Sequence, residues 1–254
     1  MEVNKTTVSV INTDQPKLSD ANIKKSFRSF LSQPAHYRKK FTQQHFEKAF
    51  DGYSYLGQED STNQYATDLL HSFVLSRFSS PELFPSEFHA FLTDEWEDTI
   101  AKVRMLERQV LEKLELPEVT QVYETHVDHM ISCNYYPPTD VLPSNDKRLS
   151  SHKDISLFSV FVYGIDEGLS YVQKGLGSIR LGTKHSAILF PGYFLEYLSA
   201  GKYPALDHQV DLPQTNEERF SFAFFSIPRP EATFQVNGNS VTSSQYYQEY
   251  LSLF

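Results

Sequence analysis

The sequence predicts a mainly β fold, a sandwich or jelly roll, with a helical N-terminal region packed on it and a helix at the C-terminus. Three observations predict it. From about Val122, β-branched and aromatic runs alternate with Pro, Gly, Asn and Asp, the texture of short antiparallel strands. Ahead of them, apolar residues recur at helical spacing. The chain is also rich in aromatics, with 20 Phe and 15 Tyr bringing their share to 14%, a bias toward strands and large apolar interiors.

Taken in order, the run Thr7 to Ile11 reads as β and the polar stretch Asn12 to Asp20 as a loop, in which Ser19 or Asp20 caps the next helix. Ile23, Phe27, Phe30 and Leu31 are spaced by three and four, which puts them on one face of a helix over 21–33 that Pro34 ends. A longer helical pattern runs from about Glu87 to Leu116, with Phe91, Ile100, Val103, Leu106, Val110 and Leu114 on one side and charges on the other. Strands are predicted over 129–136, 155–163, 168–173, 186–190, 206–212, 219–227 and 233–236, and a last helix over 243–254. With no repeat, low-complexity tract or flexible linker, 1–254 reads as a single domain: a mostly helical region over 1–120, a jelly-roll core over 121–240 and a C-terminal helix over 241–254.

Composition narrows the function. A chain of 254 residues with 40% hydrophobic and 22% charged residues suits a globular domain and excludes disorder, collagen and coiled coil. Lys and Arg number 23 against 32 Asp and Glu, a net charge of −9 that opposes binding to nucleic acid. No apolar run reaches the roughly 20 residues of a membrane span. The lone Cys133, with no charged-then-apolar leader, fits a reducing, cytoplasmic compartment. The chain is expected to act as a monomer.

Nine histidines in an acidic chain direct attention to metal ligation. His126-Val127-Asp128 and His152-Lys153-Asp154 both have the spacing that turns an imidazole and a carboxylate to one side of a strand. With a second histidine from elsewhere, such a pair occupies one face of an octahedron and leaves three positions open, the ligand set of non-haem iron oxygenases. Asp154 runs into the apolar stretch Ile155 to Val162, which reads as a strand able to hold ligands rigidly; His126 and Asp128 lack such a run and read as structural. Downstream, His208 lies in Leu206-Asp207-His208-Gln209-Val210, and Arg219-Phe220-Ser221 opens a strand. Arg219 and Ser221 face one way, where a guanidinium and a hydroxyl suit a carboxylate. Phe220, Phe222 and Phe224 face the other way, as core backing.

The ordered series Asn134-Tyr135-Tyr136-Pro137-Pro138, His152-x-Asp154, His208-x-Val210 and Arg219-x-Ser221 resembles the isopenicillin N synthase-like iron(II) and 2-oxoglutarate-dependent dioxygenases. Weaker echoes lie in Gly52 to Glu59 and in Asp68 to Phe73, and the likeness extends from about residue 24 to 235. The resemblance implies a double-stranded β-helix. It implies that His152, Asp154 and His208 are the catalytic iron ligands, that Arg219, Ser221 and Tyr136 hold the distal carboxylate of 2-oxoglutarate, and that Asn134 lies near the co-substrate and iron. It further implies O2 as oxidant, ascorbate as a stimulant, and succinate and CO2 as co-products of hydroxylation, desaturation or cyclisation of a small molecule.

The chain also departs from the family's pattern. The segment before its first long helix is short, so elements that cover the substrate are expected to be trimmed. The usual Asn-x-Gly-Asp appears as Leu189-Phe190-Pro191-Gly192-Tyr193, and His-Arg-Val as His208-Gln209-Val210. Tyr193, Phe194, Tyr246, Tyr247 and Tyr250 are read as core packing in preference to pocket or lid. Two other functions fit the residues: an iron oxidase of the same fold in which Arg219 and Ser221 bind a carboxylate of the substrate itself, and a binding protein without turnover.

Overall fold

Within the computed structural model, residues 11–46, 50–55, 68–138, 147–173, 177–183, 186–212 and 216–253 are described. In chain order they form β1 (Ile11–Pro16), α1 (Ala21–Ser32), α2 (Ala35–Arg38), β2 (Gly52–Ser54) and β3 (His71–Ser76). The helices α3 (His89–Asp94), α4 (Trp96–Leu114) and α5 (Pro117–His126) follow. The rest is mostly strand: β4 (Val127–Tyr136), β5 (Lys147–His152), β6 (Phe158–Phe161), β7 (Ile165–Gln173), β8 (Gly177–Thr183) and β9 (Ser186–Pro191). After α6 (Tyr193–Leu198) come β10 (His208–Asp211), β11 (Arg219–Pro228), the hairpin β12 (Thr233–Val236) and β13 (Asn239–Thr242), and α7 (Ser243–Leu251).

Two antiparallel sheets carry the architecture, a seven-stranded one in the order β1-β9-β6-β11-β4-β3-β2 and a four-stranded one in the order β5-β10-β7-β8. They are the two sheets of a jelly roll with flanking helices, the fold class the strand texture predicts. Between them lies an apolar cluster that draws Phe161 from β6, Leu169 and Tyr171 from β7, Phe190 from β9 and Ala223 from β11. The outer face of the large sheet is covered by helices. Phe220, Phe222 and Phe224 point that way, Phe27 of α1 meeting Phe220 edge-on at 6.1 Å and Trp96 of α4 packing on Phe224 at 6.1 Å. Alternation along β11 therefore sends the phenylalanines into the helical layer and Arg219, Ser221 and Ala223 into the space between the sheets.

Several elements differ from the sequence expectation, each for a physical reason. The helix over 87–116 breaks at Glu95 into α3 and α4. Glu107 of α4 lies on the apolar side and is fully buried, because a partner awaits it there. Helix α5 extends to His126, so the β texture begins five residues later than its first β-branched residues suggest. The strand expected over 155–163 begins at Phe158, and Ile155 to Leu157 form a bend. Strand β1 occupies Ile11–Pro16, part of the expected loop; Thr7 to Val10 lie outside the described residues, as do Leu56 to Glu59. Strands β2, β3, β5, β8 and β13 and helices α2, α5 and α6 have no counterpart in the sequence reading. Among the described residues no helix is long and apolar enough to cross a membrane.

Candidate active site

His152 ends β5, Asp154 follows two residues later and His208 opens β10, directly opposite His152 in the ladder. Antiparallel pairing thus sets two imidazoles side by side, with ring centres 4.5 Å apart. Asp154 stands between them, its Oδ1 3.3 Å from Nε2 of His152 and its Oδ2 3.6 Å from Nε2 of His208. One donor atom from each residue lies within 4.8 Å of the other two, the one such group of three among the described residues.

The orientation of the imidazoles suits a metal. Nδ1 of His152 is 2.8 Å from the carbonyl of Ser150, and Nδ1 of His208 is 3.1 Å from that of Leu206. A carbonyl only accepts, so each Nδ1 carries the proton and each Nε2 presents a lone pair to the centre. When no ion is bound, burial alone would raise the Asp154 carboxyl, but His208 and His152 in their protonated form outweigh it and hold the group at about 2, a place for positive charge that a metal ion fills when both imidazoles are neutral. Ser159 donates to Asp154 Oδ2 and is itself linked to Ser156. Two imidazoles, neutral when they bind metal, and one carboxylate grouped on one side fit divalent iron.

The bend from Lys153 to Leu157 that carries Asp154 is braced from outside. The Asp154 carbonyl accepts from the backbone of Tyr193, and Lys153 pairs with Glu196 of α6 at 2.9 Å. From α7, the Tyr250 hydroxyl donates to the Lys153 carbonyl at 2.7 Å and the Tyr246 hydroxyl to that of Ile155. Gly192 lies so close beneath that a Cβ there would sit 2.2 Å from the Ser156 carbonyl oxygen, which requires glycine where the family's segment departs into Tyr193. These braces were read as core in the sequence because a tyrosine aimed at a backbone carbonyl has no local signature. Tyr250→Phe is expected to lower Fe(II) affinity by about tenfold, the scale of groups that orient ligands, in a competition titration against a chelator; unchanged affinity would rule the brace out.

A second cluster lies on the facing sheet. In the β11–β4 ladder Arg219 is opposite Tyr136 and Ser221 opposite Asn134, so all four side chains share one face. The Arg219 guanidinium stacks over the Tyr136 ring, 4.9 Å from its centre. Arg219 is 7% exposed, and its Nε and Nη1 have no hydrogen-bond partner, a costly state for a buried cation. Gly168 of β7 leaves room beside that Nε. Leu70 and Val210 pack with Tyr136 to form apolar walls. Val210 is two residues beyond His208 on β10, so the histidine and this pocket are about 7 Å apart along one strand.

The sequence reading passed over Arg148 of β5, whose guanidinium also lies over the Tyr136 ring, 5.8 Å from its centre. Its signal was its place on the strand that ends in His152. The other His-x-Asp builds no metal group: Asp128 Oδ1 lies 3.5 Å from Arg77, Asp128 Oδ2 lies 3.6 Å from Arg229, and His126 packs against Phe234.

Residues 127–228, which contain both clusters, match the family model described as the 2OG-Fe(II) oxygenase superfamily. Over 221 residues, 83% of this chain, the sequence is 24% identical to thebaine 6-O-demethylase of Papaver somniferum, and the match spans 60% of that protein's length. A 2OG-Fe(II) oxygenase family protein from Caulobacter crescentus superposes with a TM-score of 0.72 at 18% identity, over 96% of this chain and 88% of that one. Full-length Neurospora crassa T7H in complex with alpha-KG gives 0.72 at 16% identity, over 96% and 87%. The chain thus shares its fold with these solved structures, and its strand core over 127–228, where the three metal-suited donors are grouped, is similar to the 2OG-Fe(II) oxygenase superfamily.

Proposed function

We propose that the chain is a non-haem Fe(II) and 2-oxoglutarate-dependent dioxygenase that oxidises a small molecule and releases succinate and CO2. The observation that carries this reading is the buried, unpaired guanidinium of Arg219 on the sheet facing His152, Asp154 and His208. His152, Asp154 and His208 hold the metal, and Arg219, Ser221 and Tyr136 receive the distal carboxylate of the co-substrate, with Asn134 beside them. Bound at this centre, Fe(II) supplies the redox chemistry that couples decarboxylation of the 2-oxo acid by O2 to oxidation of a substrate C–H bond.

The chain's own contribution is positioning and exclusion of water. Backbone carbonyls fix the proton of each neutral imidazole on Nδ1, which turns the Nε2 lone pair to the metal, and Ser159 holds the Asp154 carboxylate. Arg219 anchors the acid at its far end, and the apolar walls of Leu70 and Val210 leave the guanidinium few competitors for that charge. The matched demethylase supports a small organic molecule as substrate. Hydroxylation, desaturation and ring closure all suit this ligand set, the chain acting as a cytoplasmic monomer.

The test is a metabolite screen with Fe(II), ascorbate and 2-oxoglutarate, reading succinate release and the mass change of the consumed compound. Succinate formed in step with substrate loss is the expected result; substrate loss without succinate would replace this reading by the oxidase one. In the same assay Arg219→Ala is expected to raise the KM for 2-oxoglutarate by about 10- to 100-fold, the loss of one or two charge-assisted hydrogen bonds. Binding without turnover of any compound would leave a sensor.

A further inference from the structure

The pocket over Tyr136 holds two guanidiniums. Arg148 is 2% exposed, and it and Arg219 lie 5.8 and 4.9 Å from the centre of the same ring. Nη2 of Arg148 donates to the carbonyls of Pro137 at 2.9 Å and Glu217 at 2.7 Å, which fixes the plane of the group. Its Nε has no partner, and neither do Nε and Nη1 of Arg219. Burial and then the like charge of Arg219 lower the pKa of Arg148. Two buried cations over one ring, close enough for the charge of one to lower the pKa of the other and each with unused donors, oppose folding unless an anion joins them. Among the described residues neither has a carboxylate partner.

We propose that Arg148 is a second binding residue for the co-substrate, sharing with Arg219 the distal carboxylate of 2-oxoglutarate; this rests on the 2-oxoglutarate reading above. The geometry favours a division of labour. Arg148 is tied to backbone on one edge and so acts as a fixed wall, whereas Arg219 has two free nitrogens for direct hydrogen bonds. A single carboxylate between two guanidiniums satisfies both, and an acid with an uncharged far end satisfies neither. Arg148 therefore sets selectivity for a 2-oxo acid with a distal negative charge over one without, beyond what one arginine supplies.

The test measures binding, not turnover. Protein loaded anaerobically with Fe(II) is titrated calorimetrically with 2-oxoglutarate and with 2-oxopentanoate, which has the same chain length but no distal carboxylate. Arg148→Gln removes the charge and keeps a shorter polar side chain, Arg148→Lys keeps the charge, and melting curves establish that each is folded. The ratio of the two affinities is the reading, because general damage to the pocket lowers both. The expected result is a ratio that falls at least about tenfold in Arg148→Gln, the loss of one charge-assisted hydrogen bond, and falls by clearly less in Arg148→Lys, which keeps the charge though not the planar fork. An unchanged ratio in Arg148→Gln, with Arg219→Gln losing 2-oxoglutarate, overturns the role of Arg148 and leaves the dioxygenase reading standing. A fall in Arg148→Lys as deep as in Arg148→Gln overturns it too, and if the glutamine protein does not fold the lysine ratio decides alone. Wild-type protein that binds neither acid overturns the 2-oxoglutarate reading itself.

Discussion

Protein carrying His208→Ala is expected to fold, to hold no Fe(II) and to form no succinate. Wild-type chain purified anaerobically is expected to bind about one Fe(II) by its single set of three donors, and the variant close to none. The effect is complete because a facial set has no spare member: with His208 gone, His152 and Asp154 remain on one short segment and cannot close the opposite side of the ion. Carbonyl-directed Nδ1 protons mean that Nε2 of His208 is aimed before any ion arrives, so no rearranged neighbour replaces it. The paired control is the other His-x-Asp. Alanine at His126 and Asp128 is expected to leave iron content unchanged, since Asp128 faces Arg77 and Arg229. Iron retained by His208→Ala, or lost from the control, would assign the ligands wrongly.

Legibility in the sequence followed the range of the interaction. The helix over 21–33 and the strands at 129–136, 186–190 and 219–227 were readable because local periodicity or composition encodes them, and α1, β4, β9 and β11 lie there. Spacing by two gave the common direction of Arg219 and Ser221. What periodicity cannot encode is register. That Tyr136 sits opposite Arg219 and Asn134 opposite Ser221 was accessible only through the family resemblance, since cross-strand partners lie more than 80 residues apart in sequence by their own numbers. Short polar strands such as β5, with Arg148, Ser150 and Ser151, carry no apolar alternation at all, because their hydrogen-bonded neighbours and a buried charge, and not side-chain hydrophobicity, keep them in place. Arg148 was missed for that reason. The bracing tyrosines of α7 were visible as residues but not as hydrogen-bond donors to a bend 91 and 97 residues earlier.

Glu107→Ala is expected to destabilise the fold by about 3–5 kcal/mol, the cost of leaving a buried partner uncompensated, measured by urea unfolding at neutral pH. Glu107 and His129 are both fully buried, with Oε2 2.7 Å from Nε2, and the Tyr123 hydroxyl donates to the same oxygen at 2.7 Å. This one carboxylate oxygen ties α4, α5 and β4 together, the seam between the helical layer and the strand that carries Asn134 and Tyr136. Burial works to lower the pKa of His129, but the Glu107 carboxylate overcomes it and the net direction is up. A folded-state value above the unfolded one, about 6.5, contributes stability below that pH and loses it as pH rises through the folded value. Wild-type stability is therefore expected to decline on the alkaline side of about 6.5. Glu107→Gln keeps an acceptor for Tyr123 but removes the charge, so it should cost less than alanine and flatten that decline. An alanine variant within about 1 kcal/mol of the wild type, the net size of one ordinary hydrogen bond, would show that the seam is held by apolar packing alone. Should the predicted loss be found, the buried acid on the apolar face of α4 is what sets the helical layer in register with the sheet.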